Sequence, residues 1–269
     1  MLNLILAIIC SSLIAIIFKF SNRFNPNIFL VTSSNYFIAT LISFILIDKS
    51  LFKTNIVFPI LLGIPTGLLF FLSFLFYQKS IKNNGATLSG AFAKLGILYP
   101  VFLSMLIWRE IPKPINLSGI FIAILGIIIV YFPIKGIKVN FDLILLSLFG
   151  GIAEFTNKIF QKYGIIEQKD IFLFFVFLSA MFFSIFMVKS FTKKDIIIGL
   201  LVGIPNLFSS YFLILALNKL SAPIVFISYS TGSILLITLI SYFYFKEKIN
   251  NNQKIGIIVI LLSLILMNL

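Results

Sequence analysis

The sequence contains no histidine, a single cysteine and only eight acidic residues among its 269 positions. The absence of histidine removes the usual general base and the commonest metal ligand. With Cys10 alone, the chain cannot form an internal disulfide. The sequence also has no GxxxxGK[ST] loop for nucleotide phosphates and no visible nucleophile–base pair. We therefore predict that the protein is not an enzyme and that it uses neither a cofactor nor a metal.

Apolar residues are abundant instead, at 60% of the chain, with 33 phenylalanines. They form runs of about 20 residues, the length at which an α-helix crosses a hydrocarbon core. The runs are continuous rather than alternating, which favours helices over a barrel. The sequence therefore predicts an all-α integral membrane protein. The first run lacks a basic n-region, so we interpret it as a spanning helix rather than a signal peptide.

The formal net charge of +13 comes almost entirely from cations in the short connections between apolar runs. Lysines in such positions are typical of loops that lie against anionic lipid headgroups. We therefore expect membrane lipids as partners and no nucleic acid.

The hydropathy pattern predicts ten spans joined by short polar segments, all within a single transmembrane domain at 1–269. The predicted spans are 2–20, 28–47, 56–77, 86–108, 115–134, 141–161, 171–188, 195–217, 222–245 and 254–268.

Two halves of the chain share sequence features in a nearly constant register. "GIP" begins at Gly63 and recurs at Gly203. "WREIPKPINLSG" and "FKEKINNNQKIG", which contain Glu110 and Glu247, match in nearly the same register. These matches predict one repeat over about 1–136 and a second over about 141–269. Because five helices is an odd number, the second repeat would enter the membrane inverted, with a central cavity between the copies.

The order of these motifs resembles a known family. Lys19 closes the first span in "LIAIIFKF", and "YPVFLSMLIWRE" precedes "NLSGIFIAILGIIIVY". The second half repeats that ending as "YFYFKEKINNNQKIGIIVI". The chain resembles the ten-helix members of the drug/metabolite transporter superfamily, the EamA-like group. That resemblance implies ten helices in two inverted bundles and the export or uptake of small organic solutes. Glu154 departs from the common pattern, which often has an aromatic residue there.

Lys94 and Glu154 are the charged residues that lie deepest in the predicted spans. A charge at the bilayer centre costs about 2.5 kcal/mol or more, so it usually faces a bundle interior or a wet cavity. We expect Lys94 to bind an anionic substrate group or to move a proton, unless it forms a fixed structural ion pair. Glu154 shares a helix face with Asn157, Lys158 and Gln161. Its predicted alternatives are an ion pair with Lys158, an ion pair with Lys94, or a role as the proton-coupling site.

Other polar groups within the predicted spans are candidate substrate contacts, although such groups also join transmembrane helices to one another. Prolines in the spans are candidate hinges because each removes a backbone hydrogen bond. The full set of predicted substrate-binding residues is Lys94, Glu154, Tyr99, Asn35, Tyr36, Asn157, Ser228 and Thr231. The predicted hinges are Pro65, Pro100 and Pro205.

We thus predict a secondary transporter of a small polar metabolite, zwitterionic or carboxylate-bearing, that works by alternating access. Its expected location is the cytoplasmic membrane of a prokaryote, and a proton or sodium ion is the expected coupling partner. One alternative is an exporter of cationic drugs or amines that uses Glu154. Another is a membrane scaffold or lipid-binding subunit that transports nothing. The sequence leaves the orientation of the termini open, as well as the choice between monomer and homodimer.

Overall fold

A computed structural model describes residues 1–84, 86–131, 140–246 and 250–268. Across these ranges the chain forms α-helices and short 3-10 turns without any strand, which confirms the all-α membrane fold. The helices are α1 Leu2–Ser21, α2 Ile28–Leu46, α3 Val57–Asn84, α4 Ala86–Leu95, α5 Leu98–Trp108, α6 Pro114–Tyr131, α7 Phe141–Tyr163, α8 Lys169–Ile185, α9 Lys193–Leu217, α10 Ala222–Phe243 and α11 Asn251–Asn268.

Eight stretches of the described residues are long and apolar enough to cross a membrane. One of them, Leu88–Trp108, contains both α4 and α5, so the predicted fourth span is broken into two helices. The apolar parts of α6 and α11, Pro114–Val130 and Asn251–Met267, are shorter. The eleven helices found in the described ranges therefore correspond in order to the ten predicted spans.

The chain divides into two compact units, and each combines segments from both halves of the sequence. The first unit comprises Met1–Phe71 and Thr156–Asn218. Within it, α2 packs against α8 and α9, and α1 packs against α9. Its core is aromatic, with the Phe160 and Phe172 rings stacked 4.5 Å apart.

Two glycines allow helices of the first unit to approach closely. A Cβ on Gly63 of α3 would lie 2.8 Å from the Cβ of Phe175 on α8. A Cβ on Gly203 of α9 would meet the backbone oxygen of Asn35 on α2. Phe175 is the counterpart of Asn35 in the register that aligns the two glycines. Both "GIP" motifs therefore make the same kind of contact, each with the second helix of the other half.

The second unit comprises Leu72–Phe155 and Lys219–Leu269, and its helices α6 and α11 pack together. A Cβ on Gly119 would meet Met267, and a Cβ on Gly256 would meet Val130. The register that aligns the two glycines also aligns Val130 with Met267, and the contacts run in opposite directions along the two helices. An antiparallel pair of equivalent helices is what an inverted repeat requires. The boundaries of the two repeats stay predictions.

One hydrogen bond and one ion pair hold helix ends within the second unit. The backbone N–H of Ala222 donates to Glu110 Oε2 at 2.8 Å, so this carboxylate binds the positive N-terminus of α10. Lys79 near the end of α3 pairs with Asp142 at the start of α7, at 3.0 Å. Glu247, the sequence counterpart of Glu110, lies outside the described residues.

Candidate solute-binding site

The fourth span is interrupted because a proline follows shortly after a glycine. Pro100 has no N–H, and in a continuous helix its ring would clash with the carbonyl of Gly96. That carbonyl instead accepts a hydrogen bond from Tyr99 N at 3.1 Å. The N–H of Ile97 donates to the carbonyl of Lys94 at 3.3 Å, which ends α4 in a tight turn. Pro100 then occupies the first turn of α5, where a missing N–H does little harm.

The break packs against α7 through two glycines. A Cβ on Gly96 would lie 2.8 Å from the carbonyl oxygen of Ser147. A Cβ on Gly151 would meet the carbonyl of Gly96 and lie 2.6 Å from Tyr99 Cδ2. Backbone therefore touches backbone at this point, and the last turn of α4 is held directly against α7.

This packing brings Lys94 and Glu154 together. Lys94 lies in the last turn of α4, and Glu154 follows Gly151 by one helical turn of α7. The Glu154 carboxylate lies close enough to act electrostatically on Lys94, and both side chains have intermediate solvent exposure. A Cβ on Gly150, one turn before Glu154, would meet only the hydroxyl oxygen of Ser73 on α3, at 3.0 Å. The second unit thus presents a charged pair of opposite sign inside its spans, at a helix break.

Farther along α7, the predicted polar face continues into the first unit. Asn157 and Lys158 are buried, with 1% and 3% of their surfaces exposed. Lys158 Nζ donates to Gln161 Oε1 at 2.8 Å, one turn farther on. Two members of the predicted stripe are therefore in direct contact with each other.

The α2 candidates lie in the first unit and differ from each other in their surroundings. Asn35 Oδ1 accepts a hydrogen bond of 3.0 Å from Asn206 Nδ2 on α9. Tyr36 is buried in the aromatic core, with its ring centre 6.2 Å from that of Phe177. Sequence reasoning missed Asn206, although an amide directly after the second "GIP" was a visible signal.

On α10, the candidate hydroxyls are buried in the second unit. Thr231 is fully buried, and its Oγ1 donates to the carbonyl of Ile227 in its own helix at 2.7 Å. Ser228 is 5% exposed. Ser230, which the sequence did not single out, has a buried hydroxyl oxygen with no hydrogen-bond partner.

The structure therefore groups some of the candidates and separates others. Lys94, Tyr99 and Glu154 lie around the helix break in the second unit. Asn35, Tyr36 and Asn157 belong to the first unit, so their part in the same site stays a prediction. Of the predicted hinges, Pro100 lies at the break, whereas Pro65 and Pro205 lie within unbroken helices.

Comparison with known proteins agrees with this architecture. A protein of Haemophilus influenzae (strain ATCC 51907 / DSM 11121 / KW20 / Rd), named only "Uncharacterized protein", is 28% identical over 275 residues. The match covers 95% of this chain and 94% of that protein. A crystal structure described only as that of a protein superimposes with a TM-score of 0.77. It covers 98% of this chain and 94% of its own at 15% identity, so it shows the shared fold alone.

The model of the EamA-like transporter family matches residues 1–132 and 141–269, nearly the whole chain. The match confirms the family resemblance and the prediction that the protein is not an enzyme. The chain belongs to the EamA-like transporter family and is a multi-pass membrane transporter.

Proposed function

We propose that this chain is a secondary transporter of a small solute that carries a carboxylate, most simply a zwitterion of amino-acid type. It would work by alternating access in the cell membrane of a prokaryote. The observation that carries this proposal is the pair of Lys94 and Glu154, partly exposed within the spans at the break between α4 and α5.

The two charges fit a solute that carries both signs. An ammonium and a carboxylate that face each other in a low-dielectric region stabilise each other when the site is empty. A zwitterion can replace that contact with two new ones, its carboxylate on Lys94 and its amine on Glu154. Because neither charge is then left without a partner, binding avoids the large cost of an unpaired buried ion. A solute with one charge would replace only one side of that contact.

The helix break supplies a second reason to expect a carboxylate. The N-terminus of α5 carries the positive end of the helix dipole, although the Tyr99 N–H already donates to the Gly96 carbonyl and Pro100 has no N–H. In transporters with discontinuous helices, such ends point at anionic substrate groups. Lys94 lies at the same break, so its ammonium and the N-terminus of α5 would favour the same negative group.

Energy for transport would come from a gradient, because the sequence has no nucleotide-binding loop. In this proposal Glu154 either binds the amine of the solute or carries a coupled proton, and Lys94 holds the negative group. A sodium ion in place of the proton would make transport depend on sodium rather than on pH.

The test begins with a thermal-shift screen of the purified protein against amino acids, amines, nucleosides and sugars. A ligand that binds only the native state raises the unfolding temperature as its concentration exceeds Kd. We expect amino acids or related carboxylates to be stabilising. Their flux is then measured in proteoliposomes for wild type, Lys94→Ala, Lys94→Arg and Glu154→Gln.

We expect Lys94→Ala to abolish flux while the protein still inserts, and Lys94→Arg to retain part of it because the charge is preserved. Lys113→Ala, which changes an exposed lysine in a connecting segment, is the matched control and should transport normally. Normal flux in Lys94→Ala would refute the assignment. Stabilisation by amines alone, with flux that needs Glu154 but not Lys94, would instead identify an exporter of cations.

A further inference from the structure

The first unit has an apolar groove on its exposed side, between α2 and α8. The groove has a volume of about 200 Å³, and its exposed lining is entirely apolar. Its one hydroxyl, Thr40 Oγ1, donates to the carbonyl of Tyr36 in its own helix at 2.7 Å. We call this the α2–α8 groove, and its lining residues are Phe37, Thr40, Leu41, Phe44, Phe174 and Met181.

A second depression adjoins this groove at the end of α2. It has a volume of about 580 Å³ and shares Phe44 with the α2–α8 groove. Three of its residues lie beyond α2 or at its end, so it extends from the hydrocarbon level toward the connection between α2 and α3. We call it the loop cleft, and its lining residues are Phe44, Ile45, Ile47, Lys49 and Phe52.

The two depressions differ in chemistry at their far ends. At the groove end, Phe37 and Leu41 are 50% and 45% exposed on a membrane-spanning helix, so their surroundings are hydrocarbon. At the cleft end lies the exposed Lys49, in the connection that follows α2. Two surface depressions that share Phe44, one lined by apolar residues and the other ending at an exposed lysine beside a span, match a lipid with an anionic headgroup.

We propose that a phospholipid with an anionic headgroup binds this surface. One acyl chain lies in the α2–α8 groove against Phe44 and Phe174, whose ring centres are 5.6 Å apart. The acyl chain continues through the loop cleft, and the lipid phosphate lies at Lys49. The lining of this site includes neither Lys94 nor Glu154, and the proposal does not depend on what the transporter carries.

Asp48 lies beside Lys49 in the chain and carries the opposite charge. Its carboxylate accepts a hydrogen bond from the backbone N–H of Ser50 at 2.9 Å and caps the short turn that follows α2. The backbone N–H of Ser50, and to a smaller extent its hydroxyl, donate hydrogen bonds that lower the pKa of Asp48. This carboxylate is therefore ionised at neutral pH. Its negative charge beside Lys49 opposes phosphate binding. Asp48→Asn keeps a side-chain oxygen for the cap but removes that opposition.

Native mass spectrometry of the purified full chain can measure this site. The protein is titrated with phosphatidylglycerol and, separately, with phosphatidylcholine of identical acyl chains. We expect wild type to retain phosphatidylglycerol more tightly, and Lys49→Gln to weaken that preference about fivefold, the factor expected for one lysine at a membrane surface. Asp48→Asn should strengthen the preference by a similar factor, and added salt should weaken it because the charges are exposed.

Leu41→Trp fills the groove and should weaken retention of both lipids. Leu61→Trp, at a 66% exposed position of α3 outside the groove, is its control, and Lys113→Gln is the control for charge. Equal retention of the two lipids by wild type would overturn the proposal. So would unchanged binding in Leu41→Trp. Dimers that dissociate in Leu41→Trp would assign the groove to a second copy of the chain instead.

Discussion

The fourth span of the first half and its counterpart in the second half differ in whether the helix is continuous. The first is broken into α4 and α5, whereas α10 runs without interruption from Ala222 to Phe243. In the register that aligns Gly119 with Gly256, Thr231 stands where Lys94 stands and Ile237 stands where Pro100 stands. The helix is thus broken only in the copy that has the proline, and the same copy has the charge.

The polar side chains of the two spans also differ in the partners that they contact. In α10 the hydroxyls of Thr231 and Thr238 each donate to the carbonyl one turn earlier, so they are satisfied within the helix. At the break, Lys94 interacts with Glu154 of α7 and both remain partly exposed. One copy thus provides a continuous span and the other a broken span with two charged residues beside the break, at the same place in the chain order.

The largest expected effect comes from giving Thr231 and Lys94, in two separate variants, the side chain of the other. Thr231→Lys would place an ammonium at a fully buried position of a continuous helix, at a cost of about 2.5 kcal/mol or more. We expect a large loss of thermal stability or of inserted protein. Lys94→Thr removes one charge from a pair at partly exposed positions, so we expect it to abolish flux and to lower stability by less than Thr231→Lys does. If both variants lost stability equally, the two spans would not differ as we describe.

The next effect concerns the packing of the break on α7, where two adjacent glycines form a matched pair. In Gly151→Ala the new Cβ meets the carbonyl of Gly96 and the Tyr99 ring, and overpacking of this kind costs about 1–3 kcal/mol. In Gly150→Ala it meets only the movable hydroxyl of Ser73. We therefore expect a clearly lower unfolding temperature for Gly151→Ala than for Gly150→Ala. Equal temperatures would mean that the break does not rest tightly on α7.

Apolar runs predicted the spans well because a helix consists mainly of apolar residues where it crosses the hydrocarbon core. The second span was predicted at 28–47 and is found at Ile28–Leu46. The third was predicted to end at 77, but α3 continues to Asn84. Its last turns are polar, and hydropathy marks where the hydrocarbon ends rather than where the helix ends.

The site was predictable only in part, for a different physical reason. A charge within an apolar run is visible in the sequence, so Lys94 and Glu154 could be selected. Whether they meet depends on Gly96 and Gly151, whose contact joins segments far apart in sequence. Pro100 could be identified as a hinge, but the break appears about one turn earlier, where its ring would clash. Asn206 was missed because one amide in an apolar run does not reveal its partner, Asn35.

A smaller effect on stability should follow from removing the proline. Pro100→Ala restores an N–H that can bond the Gly96 carbonyl, while a more flexible unfolded chain offsets about 0.4–1 kcal/mol of that gain. We therefore expect a nearly unchanged unfolding temperature but a several-fold lower flux, because α4 and α5 can then join. Pro223→Ala, at the first turn of α10, is the control and should leave flux unchanged. Equal flux in Pro100→Ala and wild type would separate the break from transport.

The smallest expected effect is that of Thr231→Val, and it decides whether the hydroxyl of Thr231 contacts the solute. The Thr231 hydroxyl donates to the Ile227 carbonyl, which can still accept the backbone N–H of residue 231 after the change. Side-chain hydrogen bonds within membranes average about 0.6 kcal/mol, so stability should fall by no more than that. Flux should be unchanged if Thr231 only stabilises α10. A strong loss of flux at unchanged stability would make Thr231 a solute contact, and the second copy would then contribute to the site rather than only support it.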